Sequence, residues 1–142
     1  MVVKQLSVFL ENEEGTLSEV FNILKNAGIN VASCSLADTT DFGILRILVD
    51  DTEKAKEVLK TNNVAVKETE VLAVNIPHSV GSLSNVLNAL ASADVDIKYM
   101  YGLSTGKEGA SIAIKVADNA AAEAALAPLA VTYYTAADFQ NL

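Results

Sequence analysis

The sequence has little of what most chemistry needs. Arginine, histidine and cysteine occur once each, as Arg46, His78 and Cys34; proline appears twice and tryptophan not at all. A single cysteine excludes an internal disulfide framework and the paired-cysteine loop of soft-metal carriers. A lone arginine in the middle of an apolar run, "ILRIL", is a poor cradle for a phosphate. Positive charge is also short: the formal net charge is −8 and the pI about 4.5. Such a balance repels phosphate backbones and anionic lipid, so neither nucleic acid nor a membrane surface is expected as a partner. No apolar run approaches the ~18 residues of a membrane span. The opening "MVVKQLSVFLENEEG" turns acidic too soon for a signal peptide. By elimination the expected location is the cytoplasm. Catalytic patterns are missing as well: no Ser/His/Asp set and no carboxylate pair stands out. The expectation is therefore no enzyme, no catalytic residues, no metal and no cofactor.

What remains is apolar and repetitive. Half of the 142 residues are hydrophobic, enough for a substantial core. Shifting the chain by 66 positions sets Gly15 on Gly81, Leu17 on Leu83, Ser18 on Ser84 and Val20 on Val86. Asn22 then meets Asn88, Leu24 meets Leu90 and Ala27 meets Ala93, with Thr16 on Ser82. Seven identities over positions 15–27 at one unbroken offset are an internal repeat, not chance.

Periodicity extends the repeat in both directions. Leu6, Val8 and Leu10 alternate with Gln5, Ser7 and Phe9, as Leu72, Val74 and Ile76 alternate with their neighbours, and period two argues strands. Leu17, Val20, Phe21 and Leu24 share one helical face, matched by Leu83, Val86, Leu87 and Leu90. Strands follow at "INVASCSL" and "VDIKYMYGL", then at "DFGILRILVD" and "EGASIAIKVAD", the last pair at offset 67. The second hairpin has thus gained one residue near 104–109. A second helix starts at Asp51 and at Asp118, good capping residues, and Pro128 stops the latter. Short strands at "NVAVKE" and "AVTYYT" close each copy. Each copy reads β-α-β-β-α-β, an α+β ferredoxin-like arrangement. The expected organisation is two tandem units, 1–69 and 70–142, packed together because each is near the lower size limit for a core.

The loop before each helix is where the copies differ. "ENEEG" carries acids where "PHSVG" has none. A glycine there permits a tight turn or close approach of another group, and a helix start offers free N–H groups to an anion. The structural alternative is a plain turn, with "TLSE" at 16–19 forming a capping box. Asn12 and His78 precede the glycines by three residues; Asn30 and Asp96 follow by fifteen, at the start of the next strand and expected near the same end of the sheet. An amide or carboxylate can accept from an ammonium while backbone N–H groups hold a carboxylate, which together describe a free α-amino acid. Cys34 reads as a small strand residue. His78 reads either as an exposed loop residue or as part of this constellation. Tyr99 and Tyr101 either cover a sheet face or line a flat pocket with His78. The acids Glu11, Glu13 and Glu14 form a solvated loop or exclude acidic ligands.

The stretch "NEEGTLSEVFNILKNAGINV" resembles the ligand loop of ACT domains, regulatory modules of amino-acid metabolism, and the resemblance runs through both copies. It implies ligand contacts at Asn12, Gly15, Thr16, Leu17 and Asn30 in the first copy. In the second it implies His78, Gly81, Ser82, Leu83 and Asp96, with His78 and Asp96 as substitutes. Glu14 and Val80 stand where the family pattern has proline. The resemblance further implies a stand-alone regulator that binds a free L-amino acid at an interface between units. Its expected partners are a second copy in a homodimer and a metabolic enzyme of unspecified identity. An assembly scaffold or regulatory subunit with degenerate sites is the alternative.

Overall fold

The computed structural model describes residues 1–11, 13–38 and 41–141. The chain runs β1 (Val3–Glu11), α1 (Thr16–Asn26), β2 (Val31–Asp38), β3 (Phe42–Val49), α2 (Thr52–Thr61) and β4 (Ala65–Ile76). It continues α3 (Ser82–Ser92), β5 (Ile97–Gly102), β6 (Ala110–Val116), α4 (Asn119–Leu126), β7 (Thr132–Tyr133) and α5 (Ala136–Gln140). Helices α1 and α3 start and stop 66 residues apart, as the repeat requires. Two strand signals, "NVAVKE" and "EVLAVNI", merge into the single strand β4, since no turn-forming residue separates them.

The chain divides into two compact units. The first comprises Lys4–Thr69 with Ala136–Leu142, the second Met1–Val3 with Glu70–Thr135. Each terminal segment therefore belongs to the unit built mainly from the other repeat. Val2 packs on the core of the second unit, and the Met1 amino group pairs with the Glu123 carboxylate. In the first unit α5 packs on β3 and buries Phe139. Nothing in the repeat foretold α5, because 66 positions earlier the chain runs in β4 and not in a helix.

In the first unit β3 lies between β2 and β1, and β4 follows β1; in the second, β6 lies between β5 and β4, and β7 follows β4. Counterpart strands thus take the same places, in the 4-1-3-2 order of a ferredoxin-like fold. The first core joins Leu6, Val8, Leu10, Leu45, Ile47 and Val49 to Val20, Leu24, Ala55 and Leu59 of the helices. The second joins Leu72, Val74, Ile76, Ile112, Ile114 and Val116 to Val86, Leu90, Ala122 and Leu126. Small Ala55 and Ala122 let the second helix of each unit sit close to its sheet.

Helix ends follow local chemistry. Asp51 and Asp118 hold extended backbone and accept from the N–H groups of Lys54 (3.0 Å) and Ala121 (3.1 Å). Helices α1 and α3 instead start from left-handed glycines, Gly15 (φ 82°) and Gly81 (φ 89°), and neither has a side-chain cap. The capping box that "TLSE" at 16–19 offered as an alternative does not form. Gly15 occupies the cap position, so Thr16 is already helical, and its hydroxyl donates back to the Glu13 carbonyl at 2.9 Å. At the far ends, the N–H groups of Ile29 and Val95 reach the carbonyls of Leu24 and Leu90 across a left-handed residue, Gly28 or Asp94.

Candidate functional site

Strand register decides which expected site residues meet. In the first unit Glu11 pairs with Phe42, and Asp38 with Gly43, so the glycine loop after β1 lies at that end of the sheet. Val31 pairs with Val49 at the opposite end, which places Asn30 there as well. The second unit repeats this: Ile76 pairs with Ala110 near the loop, whereas Ile97 pairs with Val116 far from it. The expectation that Asn30 and Asp96 share an end with their own loops is therefore corrected. The eleven residues of α1 carry the chain back about 16 Å along the sheet before β2 begins.

The backbone of Asn30 is engaged where it stands. Its N–H donates to Asp50 Oδ1 at 3.0 Å, and its carbonyl accepts from the Asp50 N–H at 3.1 Å. Asp96 keeps the carbonyl bond, from the Ala117 N–H at 3.0 Å, while its carboxylate meets Lys98 Nζ at 2.5 Å. Asn12 lies outside the described residues.

Around the first loop the surface is concave. A groove of about 620 Å³ is lined by the end of β1, the first turn of α1, the start of β3 and the turn from α2 into β4. Its apolar part includes Leu10, Val20 and Val64, with the rings of Phe9 and Phe42 edge to face at 5.9 Å. Glu11, Glu13, Glu19 and Asp41 supply its charge. Of the expected site residues, Thr16 lines this groove; Gly15 and the half-buried Leu17 adjoin it without lining it. A Cβ on Gly15 would meet nothing within 4 Å, so the glycine serves the left-handed turn and not a close approach.

The second loop differs. His78 is exposed beside a shallow cleft of about 360 Å³ with Asn75, Pro77, Glu108, Gly109 and Thr132. Neither Tyr99 nor Tyr101 lines it. Gly81, Ser82 and Leu83 form the helix start, where the Ser79 and Ser82 hydroxyls bond at 2.7 Å. Behind the cleft a polar cluster fixes the lengthened hairpin. Asn75 Nδ2 donates to the Glu108 carbonyl (2.9 Å) and Ser111 Oγ (3.0 Å), and the Tyr134 hydroxyl bonds Ser111 (2.6 Å) and Thr105 (2.8 Å). Gly109 (φ 96°) is required here, since a Cβ would fall 2.7 Å from the Ile76 carbonyl.

Among the described residues no group of His, Cys, Asp or Glu has the arrangement of a metal site, and no helix is long and apolar enough to cross a membrane. Cys34 is an exposed free thiol on β2. Sequence reasoning named Glu11 and Glu13 but missed Glu19, Asp41, Phe9 and Phe42. Glu19 lay within reach of the repeat comparison, which sets it against Asn85; Asp41 came to notice only through the groove.

Residues 1–135 match the family model of the ACT domain pair. The chain belongs to that family. A protein of Bacteroides thetaiotaomicron of known crystal structure is 37% identical to this ACT pair, with a TM-score of 0.91 over 100% of this chain and 98% of that one. Two more distant structures share the fold. The regulatory subunit of aspartate kinase from Thermus thermophilus, in a ligand-free form, is 17% identical with a TM-score of 0.60 over 87% of each chain. Its counterpart from Thermus flavus is also 17% identical, with a TM-score of 0.62 over 87% of this chain and 88% of that one. Among curated proteins none matches.

Proposed function

We propose that this ACT pair is a regulatory protein that binds a free L-amino acid and adjusts the activity of a metabolic enzyme, without catalysing a reaction itself. One observation carries the reading. The two helices that follow a glycine loop have no side-chain cap, while the other two long helices of the same chain are capped by aspartate. Uncapped first-turn N–H groups attract a carboxylate through their free donors and the positive end of the helix dipole. In the first unit those donors open beside a groove large enough for an amino acid. The regulatory subunits of aspartate kinase share this fold, so the architecture suits a non-catalytic role.

Asn30 enters as a contact from another unit. Because it lies at the far end of its own sheet, a ligand that touches both an ACT loop and such an asparagine bridges two units, and a second copy of the chain supplies one. A cytoplasmic homodimer is the form we propose. Ligand binding would then shift an equilibrium between packing arrangements, with a coupling of about 1–3 kcal/mol.

Thermal unfolding against each of the twenty amino acids tests this. A ligand at 100 times its dissociation constant stabilises the folded state by ~2.7 kcal/mol, and Gly15→Ala and Asn30→Ala should reduce that response. No shift with any amino acid would leave an assembly scaffold with degenerate sites as the better reading.

A further inference from the structure

We infer that the second unit closes its own copy of the groove, with the hairpin between β5 and β6 as the plug, so that the amino acid binds at the first unit alone. This rests on the amino-acid reading above for the ligand, and on geometry alone for the closure.

The groove and the cleft are the same place in the two units. Leu10 pairs with Gly43 as Ile76 pairs with Ala110. The offset is 66 before the lengthened hairpin and 67 after it. Asn75, Ile76, Pro77, Glu108, Gly109 and Thr132 of the cleft therefore stand where Phe9, Leu10, Glu11, Asp41, Phe42 and Ala65 line the groove. The second hollow thus has an amide and a glycine where the first has two phenyl rings. Side-chain size alone would make the second hollow the larger. It is the smaller, about 360 Å³ against about 620 Å³. It also stops short of the helix: Thr16, Glu19 and Val20 of α1 line the groove, whereas among the described residues none of α3 lines the cleft.

Backbone takes the space that the rings leave. Gly109 lies so close to the end of β4 that a Cβ would stand 2.7 Å from the Ile76 carbonyl oxygen and 2.9 Å from Asn75 Oδ1. Asn75 holds the hairpin there, because its Nδ2 donates to the Glu108 carbonyl at 2.9 Å and to Ser111 Oγ at 3.0 Å. Tyr134 completes the hold: its hydroxyl bonds Thr105 at 2.8 Å, and Lys107 Nζ lies 4.6 Å from its ring centre. A phenylalanine at the Asn75 position could make neither amide bond, and a side chain at the Gly109 position could not come so near. The exchanges of Phe9 for Asn75 and of Phe42 for Gly109 therefore work together. They seal the second hollow away from the uncapped start of α3, while in the first unit the start of α1 opens into the groove.

Hydrogen exchange of the full chain, read by mass spectrometry, tests both parts. Without any ligand, Asn75→Ala and, separately, Tyr134→Phe should quicken exchange over 103–111 by roughly fivefold or more, the worth of one hydrogen bond, and leave β1 to β3 unchanged. Tyr134→Phe leaves the buried ring in place, so that variant keeps its fold. Unchanged exchange over 103–111 in both variants overturns the closure. With each of the twenty L-amino acids at millimolar concentration, protection should appear over 9–20 and not over 75–86. Protection of 75–86 equal to that of 9–20 overturns the inference and leaves the amino-acid reading standing. Protection of neither stretch by any of the twenty removes the amino-acid reading, and the two variants still decide the closure.

Discussion

The Tyr133 hydroxyl is buried and has no hydrogen-bond partner among the described residues. A hydroxyl in that position costs desolvation and returns nothing. Burial also raises its pKa above the ordinary value of 10.0, because the phenolate would lose more solvation than the phenol. The sign follows: ionisation of this group does not bear on folding well below pH 10.0, and stability is lost as pH rises above 10.0 through the raised folded value. Tyr133→Phe should therefore be neutral or stabilise by up to about 1 kcal/mol at pH 7 in urea unfolding. Above pH 10.0 the advantage of the variant should grow. A variant less stable than the parent at pH 7 would mean that the hydroxyl has a partner. Tyr134, its neighbour, is the opposite case, with its hydroxyl held by both Ser111 and Thr105.

At the scale of the element, the chain uses two ways of starting a helix, and they separate stability from binding. Asp51→Ala removes the bond to the Lys54 N–H and should cost about 1 kcal/mol in denaturant unfolding without changing any amino-acid response. Gly15→Ala strains a left-handed turn and should alter the ligand response as well. If Asp51→Ala changed ligand binding as much as Gly15→Ala, the division would be wrong. The elements were legible in the sequence wherever a period could be compared with its copy. The 66-residue offset showed that α1 and α3 exist and share one register, and Asp51 and Asp118 were readable as caps because aspartate favours that position. The helix start at Gly15 was not. "TLSE" fits a capping box by type, and only the left-handed φ of the glycine shows that the cap position is already taken. The site was half legible for a related reason. Spacing along a chain says that Gly15 and Asn30 are fifteen residues apart, but one helix between them places them at opposite ends of a sheet. Convergence of Glu19 and Asp41 on Glu11 was invisible, since it depends on three elements meeting.

For the molecule as a whole, the exchanged termini matter most. Phe139 is 4% exposed and belongs with residues 4–69, although nearly the whole second repeat lies between them in sequence. A chain ending at Thr135 should lose about 2–3 kcal/mol, the worth of one buried Phe, and hydrogen exchange should quicken in β3 before β6. Faster exchange in β6 instead would show that α5 supports the other unit. The same arrangement bears on how the protein is made. A chain leaves the ribosome from its N-terminus, and domains ordinarily fold in that order. Here the unit built on the first repeat includes α5, which is translated after the second repeat, whereas the segment 1–3 that groups with the second unit is translated before it. The repeat synthesised later is thus the first that can be completed.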